Sequence, residues 1–363
     1  MRLISGLGGG VLLIVTFATM LRTMVVPRGL YSTLVYWLWR GLRKVLNLAA
    51  APFGSYEVRD RLQAWLAPLI LVGMLTAWLA ALFTGYGLII HAATGLGYAA
   101  SFREAGSSMF TLGYASQNRL ELSAWDFLAA ATGPVVIALQ IAYLPTLYSA
   151  YNRRETEVTL LQSRAGEPAW GPELLARQGL VSTEVALPAL YRNWERLAAE
   201  LGESHANYPV LLSFRSPQPY RSWIVALLSV MDAAAIHLAV TDRGAPADAR
   251  LVLRAGFTAL RDIARVIGIQ FDEDPDPETA PLSLTFEEFA AAVAMIHASG
   301  FPVKRQAAEA WPHFRGWRVN YEHIAYELCR RGDVVPALWT GTRDWPSVPI
   351  PPRRPPDRRP TLR

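Results

Sequence analysis

The longest stretch without a charged residue, positions 62–102, most constrains the fold of this chain. It is about twice as long as one membrane-spanning helix requires, roughly 20 residues. Of the 363 residues, 52% are hydrophobic and only 18% are charged, below the soluble average of about 25%. The apolar excess lies before residue 151 and most charges lie after it. This distribution predicts a membrane-embedded module followed by a soluble domain.

Changes in composition divide the chain into five predicted segments. An N-terminal transmembrane helix (1–28) precedes an amphipathic segment (29–61) rich in Tyr, Trp, Arg and Lys. That segment suits a helix lying in the headgroup region or one packed on the cytoplasmic rim of the module. The other predicted segments are a module of two spans with an intervening loop (62–154), an α-helical cytoplasmic domain (155–340) and a disordered Pro/Arg-rich tail (341–363).

The membrane topology follows from the basic residues. Leu3–Leu21 is uncharged and long enough to span. A secretory signal is the alternative, but no small-residue cleavage site follows and Arg22 comes directly after, which favours a retained helix. Basic pairs flank the other two spans, at Arg59 and Arg61 and at Arg153 and Arg154. The positive-inside rule then predicts a multi-pass protein of the inner (plasma) membrane, with the N-terminus outside and the C-terminal domain in the cytoplasm.

A segment too short to cross a bilayer separates the second and third spans. Gly95 and Gly97 interrupt the helical pattern, and Ala99–Phe110 predicts a short helix that enters the membrane and returns. A polar return follows at Gln117–Leu122. Non-helical backbone at membrane depth is tolerated only where it lines an enclosed or water-filled cavity. The pattern of helix, re-entrant loop and helix therefore predicts a pore.

The residues after the short helix form the most informative motif: Thr111, Leu112, Gly113, Tyr114 and Ala115. They resemble the Thr-Val-Gly-Tyr-Gly selectivity filter of potassium channels, whose backbone carbonyls replace the hydration shell of the ion. Gly113 allows the left-handed backbone angles that such a ribbon requires. Because one chain supplies one strand of the filter, we expect a homotetramer. The permeant ion would be potassium or another monovalent cation, with no other metal and no cofactor.

The third span carries polar groups at helical spacing, which predicts that this face lines the pore, with interhelical packing as the alternative. Gly133, Pro134 and Pro145 can bend this span, either as a gating hinge or as a static kink. The expected lining residues are Thr132, Val136, Gln140, Tyr143 and Leu147.

Positions 62–154 resemble the two-transmembrane, one-pore-loop potassium-channel superfamily. The resemblance implies an all-α membrane protein, with a helix–re-entrant pore loop–helix module, an extra N-terminal transmembrane helix and an α-helical cytoplasmic domain. It implies that Gly133 is the hinge glycine. A narrower similarity, to bacterial channel-like proteins with a helical C-terminal domain, rests on Ala131–Gly133, Tyr143–Pro145, Arg153–Glu155 and Arg164–Gly166.

Three positions depart from the family pattern. Ala115 stands where the family has a second glycine, Ser116 replaces an acidic residue, and Ser107 lies near an acidic position used by some members. An L-residue at positive φ costs about 1–2 kcal/mol. The sequence therefore predicts strain at Ala115, a relaxed outer filter and weaker potassium selectivity.

The C-terminal half shows helical periodicity without a run of alternating strands. Trp223–Val240 is nearly as apolar as a span, but Asp232 at its middle predicts a buried helix of the soluble domain. Thr285 and Glu288 predict a capping box, and Thr183 predicts a further helix cap. The acidic stretch 272–278 lacks the glycine and glutamate of an EF-hand loop and predicts a solvated turn.

These observations lead to the hypothesis of a tetrameric, passively conducting cation channel and not an enzyme. The alternative is a non-conducting, channel-like membrane scaffold or sensor. The expected partners are membrane lipids and further copies of the chain. The net charge of +5 comes from basic residues beside apolar segments and in the tail, which fits an anionic membrane and argues against nucleic acid. The single cysteine, Cys329, excludes an internal disulfide.

Overall fold

The computed structural model describes residues 1–24, 33–116, 120–181, 186–241 and 246–353. In these ranges the chain is all-helical, as expected, with isolated bridges in place of strands. Four helical segments are long and apolar enough to span a membrane, which fits a multi-pass membrane protein: Arg2–Met24, Tyr56–Thr94, Ser123–Ala165 and Trp223–Val240.

The chain divides into two compact units, with Met1–Leu48 and Trp65–Ser149 in unit 1 and Ala49–Ala64 and Ala150–Arg363 in unit 2. The helix Leu120–Ala165 contributes residues to both. The α-helices of the described ranges are α1 (Arg2–Met24), α2 (Thr33–Ala50), α3 (Tyr56–Gln63), α4 (Leu66–Thr94), α5 (Tyr98–Met109), α6 (Leu120–Ala165), α7 (Gly171–Val181), α8 (Ala186–Asn207), α9 (Trp223–Val240), α10 (Ala247–Ile267), α11 (Phe286–Ala298), α12 (Ala307–Arg318) and α13 (Glu322–Gly332).

In unit 1, α1 packs along α4 through two glycines. A Cβ on Gly9 would lie 2.7 Å from the Gly85 carbonyl oxygen, and one on Gly85 would lie 2.6 Å from the Leu13 side chain. Small residues allow apolar helices to approach each other this closely. The other side of α1 exposes a continuous apolar surface, as a helix facing lipid would, formed by Leu3, Ile4, Leu7, Val11 and Ile14.

In unit 2, α9 lies at the centre of the hydrophobic core. Every residue of this helix except Leu238 is buried, and α7, α8, α10, α12 and α13 pack around it. A helix that is apolar all round must be covered, either by lipid or by protein. Here the cover is protein, so the predicted buried helix is confirmed.

The acidic group in the middle of α9 is fully paired. Arg318 donates to Asp232 Oδ1, to Glu322 Oε2 at 2.8 Å and to the Trp339 carbonyl oxygen at 2.9 Å. Tyr321 Oη donates to the same Asp232 oxygen at 2.9 Å. Both charged groups of the central pair are almost completely buried. This network is the satisfied core polar group that the sequence predicted at Asp232.

We expect Arg318→Met to lower the free energy of unfolding of unit 2 by about 3–5 kcal/mol, because it leaves Asp232 buried without its counter-charge. The double variant Asp232→Leu/Arg318→Met removes both charges and should recover part of that loss. Denaturant unfolding in detergent micelles, followed by near-ultraviolet circular dichroism, measures both. A double variant that is no more stable than the single one would contradict the coupling.

A second buried network surrounds the part of α6 that belongs to unit 2. Arg154 donates to His205 Nε2, to Glu155 Oε1 and to the Phe214 carbonyl oxygen, each at 2.9 Å. Since His205 Nε2 accepts, its proton lies on Nδ1, which donates to the Leu201 carbonyl oxygen at 3.1 Å. Burial, and then the Arg154 charge, hold the pKa of His205 well below its usual range.

We expect unit 2 to lose stability as the pH falls below about 6.5, the pKa of an unfolded histidine. Below that value the unfolded chain binds more protons than the folded one, so stability declines by up to about 1.4 kcal/mol per pH unit for one group. His205→Gln keeps an acceptor and a donor but does not titrate. Its α8 amides should show a weaker loss of hydrogen-exchange protection between pH 7 and 5, after correction for intrinsic rates.

The control is His313→Gln, because His313 is exposed and its replacement should leave the pH dependence unchanged. If His205→Gln also leaves the pH dependence unchanged, another group is responsible for it.

One loop of unit 2 binds both α3 and α6. Arg215 donates to Asp60 and Gln63 of α3, and to the Asp333 carbonyl oxygen at 2.9 Å. The Arg215 carbonyl oxygen accepts from Tyr151 Oη of α6 at 3.2 Å. The segment that precedes α4 and the second half of α6 are thus attached to the same residue.

A disordered tail was expected at 341–363, but in the structure the part up to residue 353 makes specific contacts. The Ile350 N–H donates to the Pro336 carbonyl oxygen at 2.7 Å, and the Arg353 N–H donates to the Glu167 carbonyl oxygen at 2.9 Å. The Arg353 guanidinium lies over the Tyr220 ring, 4.4 Å from its centroid. The prolines limit the backbone, and these contacts hold it as an extended strap. Residues 354–363 lie outside the described residues.

The predicted capping box at Thr285 is confirmed. Thr285 Oγ1 accepts from the Glu288 N–H at 3.2 Å, and the Glu288 carboxylate accepts from the Thr285 N–H at 2.9 Å. The predicted cap at Thr183 and the beginning of the predicted polar return, 117–119, lie outside the described residues.

Candidate functional site

The candidate site is the turn at 110–116, which follows α5. A short helix is present where Ala99–Phe110 predicted one, and it packs against α4 with Phe102 and Phe83 in an edge-to-face contact at 5.3 Å. After α5 the chain leaves helical geometry, and Leu112 and Tyr114 are 63% and 56% exposed. Two long apolar helices, α4 and α6, therefore flank a short stretch of uncovered, non-helical backbone.

Ser107, in the last turn of α5, organises this backbone. Its carbonyl oxygen accepts from the N–H groups of Leu112 at 2.8 Å and Gly113 at 3.3 Å. Its hydroxyl accepts from the Ala115 N–H at 2.9 Å. Ser107 itself is fully buried. One serine thus binds three residues of the motif, Leu112, Gly113 and Ala115.

The strain expected at Ala115 is found elsewhere in the motif. Thr111 has φ +56° and Gly113 has φ +71°, whereas Ala115 is not among the residues with positive φ. The expected cost applied to the positive-φ geometry of the resembling family; Ala115 does not adopt that geometry, and its N–H donates to the Ser107 hydroxyl. The left-handed cost of about 1–2 kcal/mol falls on Thr111 instead.

The end of α5 is joined to α6 at two points. Ser108 Oγ donates to Asp126 Oδ1 at 2.9 Å, and both side chains are buried. Further along α6, Gly133 lies against the Met109 carbonyl oxygen, where any Cβ would clash. Sequence reasoning missed the Ser108–Asp126 bond, although Asp126 is the only charged residue in the stretch 124–151.

The residues predicted to line the pore are buried between the helices of one chain. Thr132 Oγ1 and Tyr86 Oη share a hydrogen bond at 2.7 Å, and Gln140 Nε2 donates to the Leu71 carbonyl oxygen at 3.4 Å. Both partners belong to α4. This is the interhelical packing alternative, and the stripe does not form an open face of the chain. All five residues are buried: Thr132, Val136, Gln140, Tyr143 and Leu147.

The exposed side of α6 carries both small and large apolar side chains, the large ones including Phe127, Ile137 and Ile141. Ala131, Val135, Ala138 and Ala142 are exposed and follow each other at three- and four-residue spacing. Polarity at membrane depth does not by itself separate an open face from a packed one, because polar groups also pack between helices.

The three predicted hinge residues lie within a continuous helix. α6 passes through Gly133, Pro134 and Pro145 without interruption. Each proline removes one backbone donor from the helical ladder, so both sites are weak points of the helix. For Gly133 the structure gives a further reason, which is the close approach of the α5 C-terminus.

We expect Gly133→Ala to destabilise unit 1 by about 1–3 kcal/mol, since the added methyl group must displace the backbone at Met109. Gly10→Ala is the matched control, because Gly10 also lies in an apolar helix but has no atom within 4 Å of an added Cβ. Thermal unfolding in detergent measures both. Equal melting temperatures for the two variants would contradict the tight α5–α6 contact.

In the described part of the chain, no group of three or more His, Cys, Asp or Glu residues is placed to hold a metal ion. Two carboxylates of the acidic stretch 272–278 bond within its own turn, and a third, that of Glu273, accepts from Arg265 at 3.0 Å. Asp272 accepts from the Asp274 N–H at 3.0 Å, and Asp276 accepts from the Glu278 N–H at 2.8 Å. Cys329 is buried in the core of unit 2.

No protein-family model, curated protein or solved structure matches this chain. The fold defines its class as an all-helical protein with several apolar helices able to span a membrane, fitting a multi-pass membrane protein.

Proposed function

We propose that this chain forms a homotetrameric cation channel of the potassium-channel type, in which Thr111–Ala115 is the filter. The turn after α5 carries this proposal, because it is uncovered, non-helical backbone between two apolar helices. Such backbone at membrane depth needs protein or water around it. Further copies of the chain around a common axis supply the protein, and the enclosed pore supplies the water.

The buried charges near the turn favour a cation, while the exposed Arg103 guanidinium lies 5.5 Å from the centroid of the Tyr114 ring. The C-terminus of α5 ends at the turn, and the C-terminal end of a helix carries partial negative charge. Among the described residues of unit 1, the buried charged side chains are both acidic, Glu104 and Asp126. Fixed negative groups near a pore concentrate cations and disfavour anions. The permeant ion in this proposal is potassium or another monovalent cation.

The backbone of the turn favours weak selectivity. The motif has positive φ at Thr111 and Gly113 but not at Ala115. The second glycine of the resembling family is therefore not matched in sequence or in backbone angle. A ribbon with fewer aligned carbonyls would discriminate less between potassium and sodium. The pore would lie in the plasma membrane, with the N-terminus outside and unit 2 in the cytoplasm.

The second candidate is a non-conducting, channel-like membrane scaffold or sensor. The observation that favours it is the burial of the polar stripe on α6, because a conducting pore would gain from polar groups on its open face. The exposed stripe of small residues suits helix packing between copies equally well.

Potassium flux into proteoliposomes tests the proposal. Wild-type protein should conduct cations, and Gly113→Ala should abolish flux while the tetramer still forms. An added Cβ at Gly113 meets no atom within 4 Å, so its effect comes from the positive φ. The energetic cost of alanine at this positive φ is about 1–2 kcal/mol per chain, or about 4–8 kcal/mol per tetramer.

Gly97→Ala is the control, since Gly97 is also open to an added Cβ but has φ −61°. It should conduct like wild type. A well-formed tetramer without flux would favour the scaffold or sensor, and protein that stays monomeric in the membrane would contradict the proposal.

A further inference from the structure

The surface of α2 divides into three stripes. Val35 is buried, and Leu38 reaches Gly73 of α4, where an added Cβ would lie 3.4 Å from its side chain. This stripe packs within unit 1. The second stripe is apolar and exposed, and it consists of Trp37, Val45 and Leu48, with exposures of 61%, 62% and 66%. The third stripe is basic and contains Arg40, Arg43 and Lys44.

The apolar and basic stripes lie side by side. At 100° per residue, Trp37, Val45 and Leu48 fall within one quadrant of the helix, and Lys44 and Arg40 fall in the next. The packed stripe bounds the apolar quadrant on its other side. Going around the helix, the exposed surface of α2 thus has one apolar region and one adjacent basic region. This arrangement is typical of a helix that lies between the acyl chains and the headgroups.

The aromatic residues of α2 support the basic stripe. Arg40 Nη1 donates to Tyr36 Oη at 3.2 Å, and the Arg43 guanidinium lies 5.1 Å from the centroid of the Trp39 ring. These contacts hold the charged ends of both arginines beside the aromatic rings of α2. Tyr and Trp are also the residues that favour the headgroup level of a membrane.

The position of α2 in the chain brings it to a membrane surface. It lies between two helices able to span, α1 and α4. Eight residues separate the end of α1 from the start of α2, and eight residues extend at most about 28 Å. The whole stretch 1–56 contains no Asp or Glu, so its side chains carry net positive charge.

We infer that α2 lies in the headgroup layer and binds acidic phospholipids, with Trp37, Val45 and Leu48 among the acyl chains and the basic stripe on the lipid phosphates. The ligand chemistry is a lipid phosphate that carries net negative charge, because a zwitterionic headgroup does not complement a stripe with three cations. This interaction does not depend on conduction, so it stands or falls separately from the proposed channel.

The test places a fluorescent label at the apolar stripe. The full-length Val45→Cys variant, labelled with bimane, is reconstituted in vesicles that contain lipids brominated on their acyl chains. Cys329 is fully buried and should not react. Brominated phosphatidylglycerol should quench the label at a several-fold lower mole fraction than brominated phosphatidylcholine. At about fivefold for each basic residue near a charged surface, three residues set an upper limit of roughly a hundredfold.

Two variants sharpen this test. Arg40→Gln/Arg43→Gln/Lys44→Gln, combined with Val45→Cys, should abolish the preference for phosphatidylglycerol while quenching persists. The matched control is Ile14→Cys, because Ile14 is 70% exposed on the apolar helix α1. Its label should be quenched equally by both lipids, with and without the triple change.

Two results would overturn the inference. Equal quenching of the Val45 label by both lipids would show that α2 has no preference for acidic phospholipids. Absence of quenching at Val45, with normal quenching at Ile14, would show that protein covers the apolar stripe. Excimer fluorescence from pyrene at the same position would then identify the cover as a second copy of the chain.

Discussion

The buried ion pair between Asp232 and Arg318 distinguishes α9 from the other apolar helices described in this chain. By composition alone, α9 belongs with the three other segments that are able to span a membrane. It differs because the charge at its middle has partners from α12 and the following residues, and because protein covers all its sides. The helices α1, α4 and α6 keep large apolar surfaces exposed. The same hydrophobicity therefore serves a protein core in one case and suits a lipid environment in the others.

The sequence predicted the features that depend on local chemistry. Apolar length and charge placement indicated the spanning segments and the buried helix, and Thr285 with Glu288 indicated a helix start. The predictions failed where the environment of a side chain depends on which helix packs against it. Thr132 and Gln140 are polar at membrane depth, but they bond to α4, and the sequence does not say which helix a polar group meets. Likewise the sequence does not determine which residues of the motif take positive φ, and in the structure these are Thr111 and Gly113.

Within unit 2, the loop around Arg215 binds both α3 and the C-terminal part of α6. Its side chain binds α3, which runs almost directly into α4, and its carbonyl oxygen binds Tyr151 on α6. The neighbouring Phe214 carbonyl oxygen accepts from Arg154, also on α6. The two helices that flank the turn at 110–116 are thus continuous with segments that share one attachment point. The pH-sensitive contact at His205 belongs to this same group of residues through Arg154.

The charge composition of the first 56 residues determines how the attraction of this segment to a membrane surface depends on solution conditions. It contains Arg and Lys but no Asp, Glu, His or Cys side chain. If α2 binds acidic phospholipids as inferred, this attraction should weaken as salt shortens the Debye length, which is about 8 Å at 0.15 M. The inferred response of the N-terminal segment is therefore to ionic strength and lipid charge, whereas in unit 2 burial and the Arg154 charge hold the pKa of His205 well below its usual range.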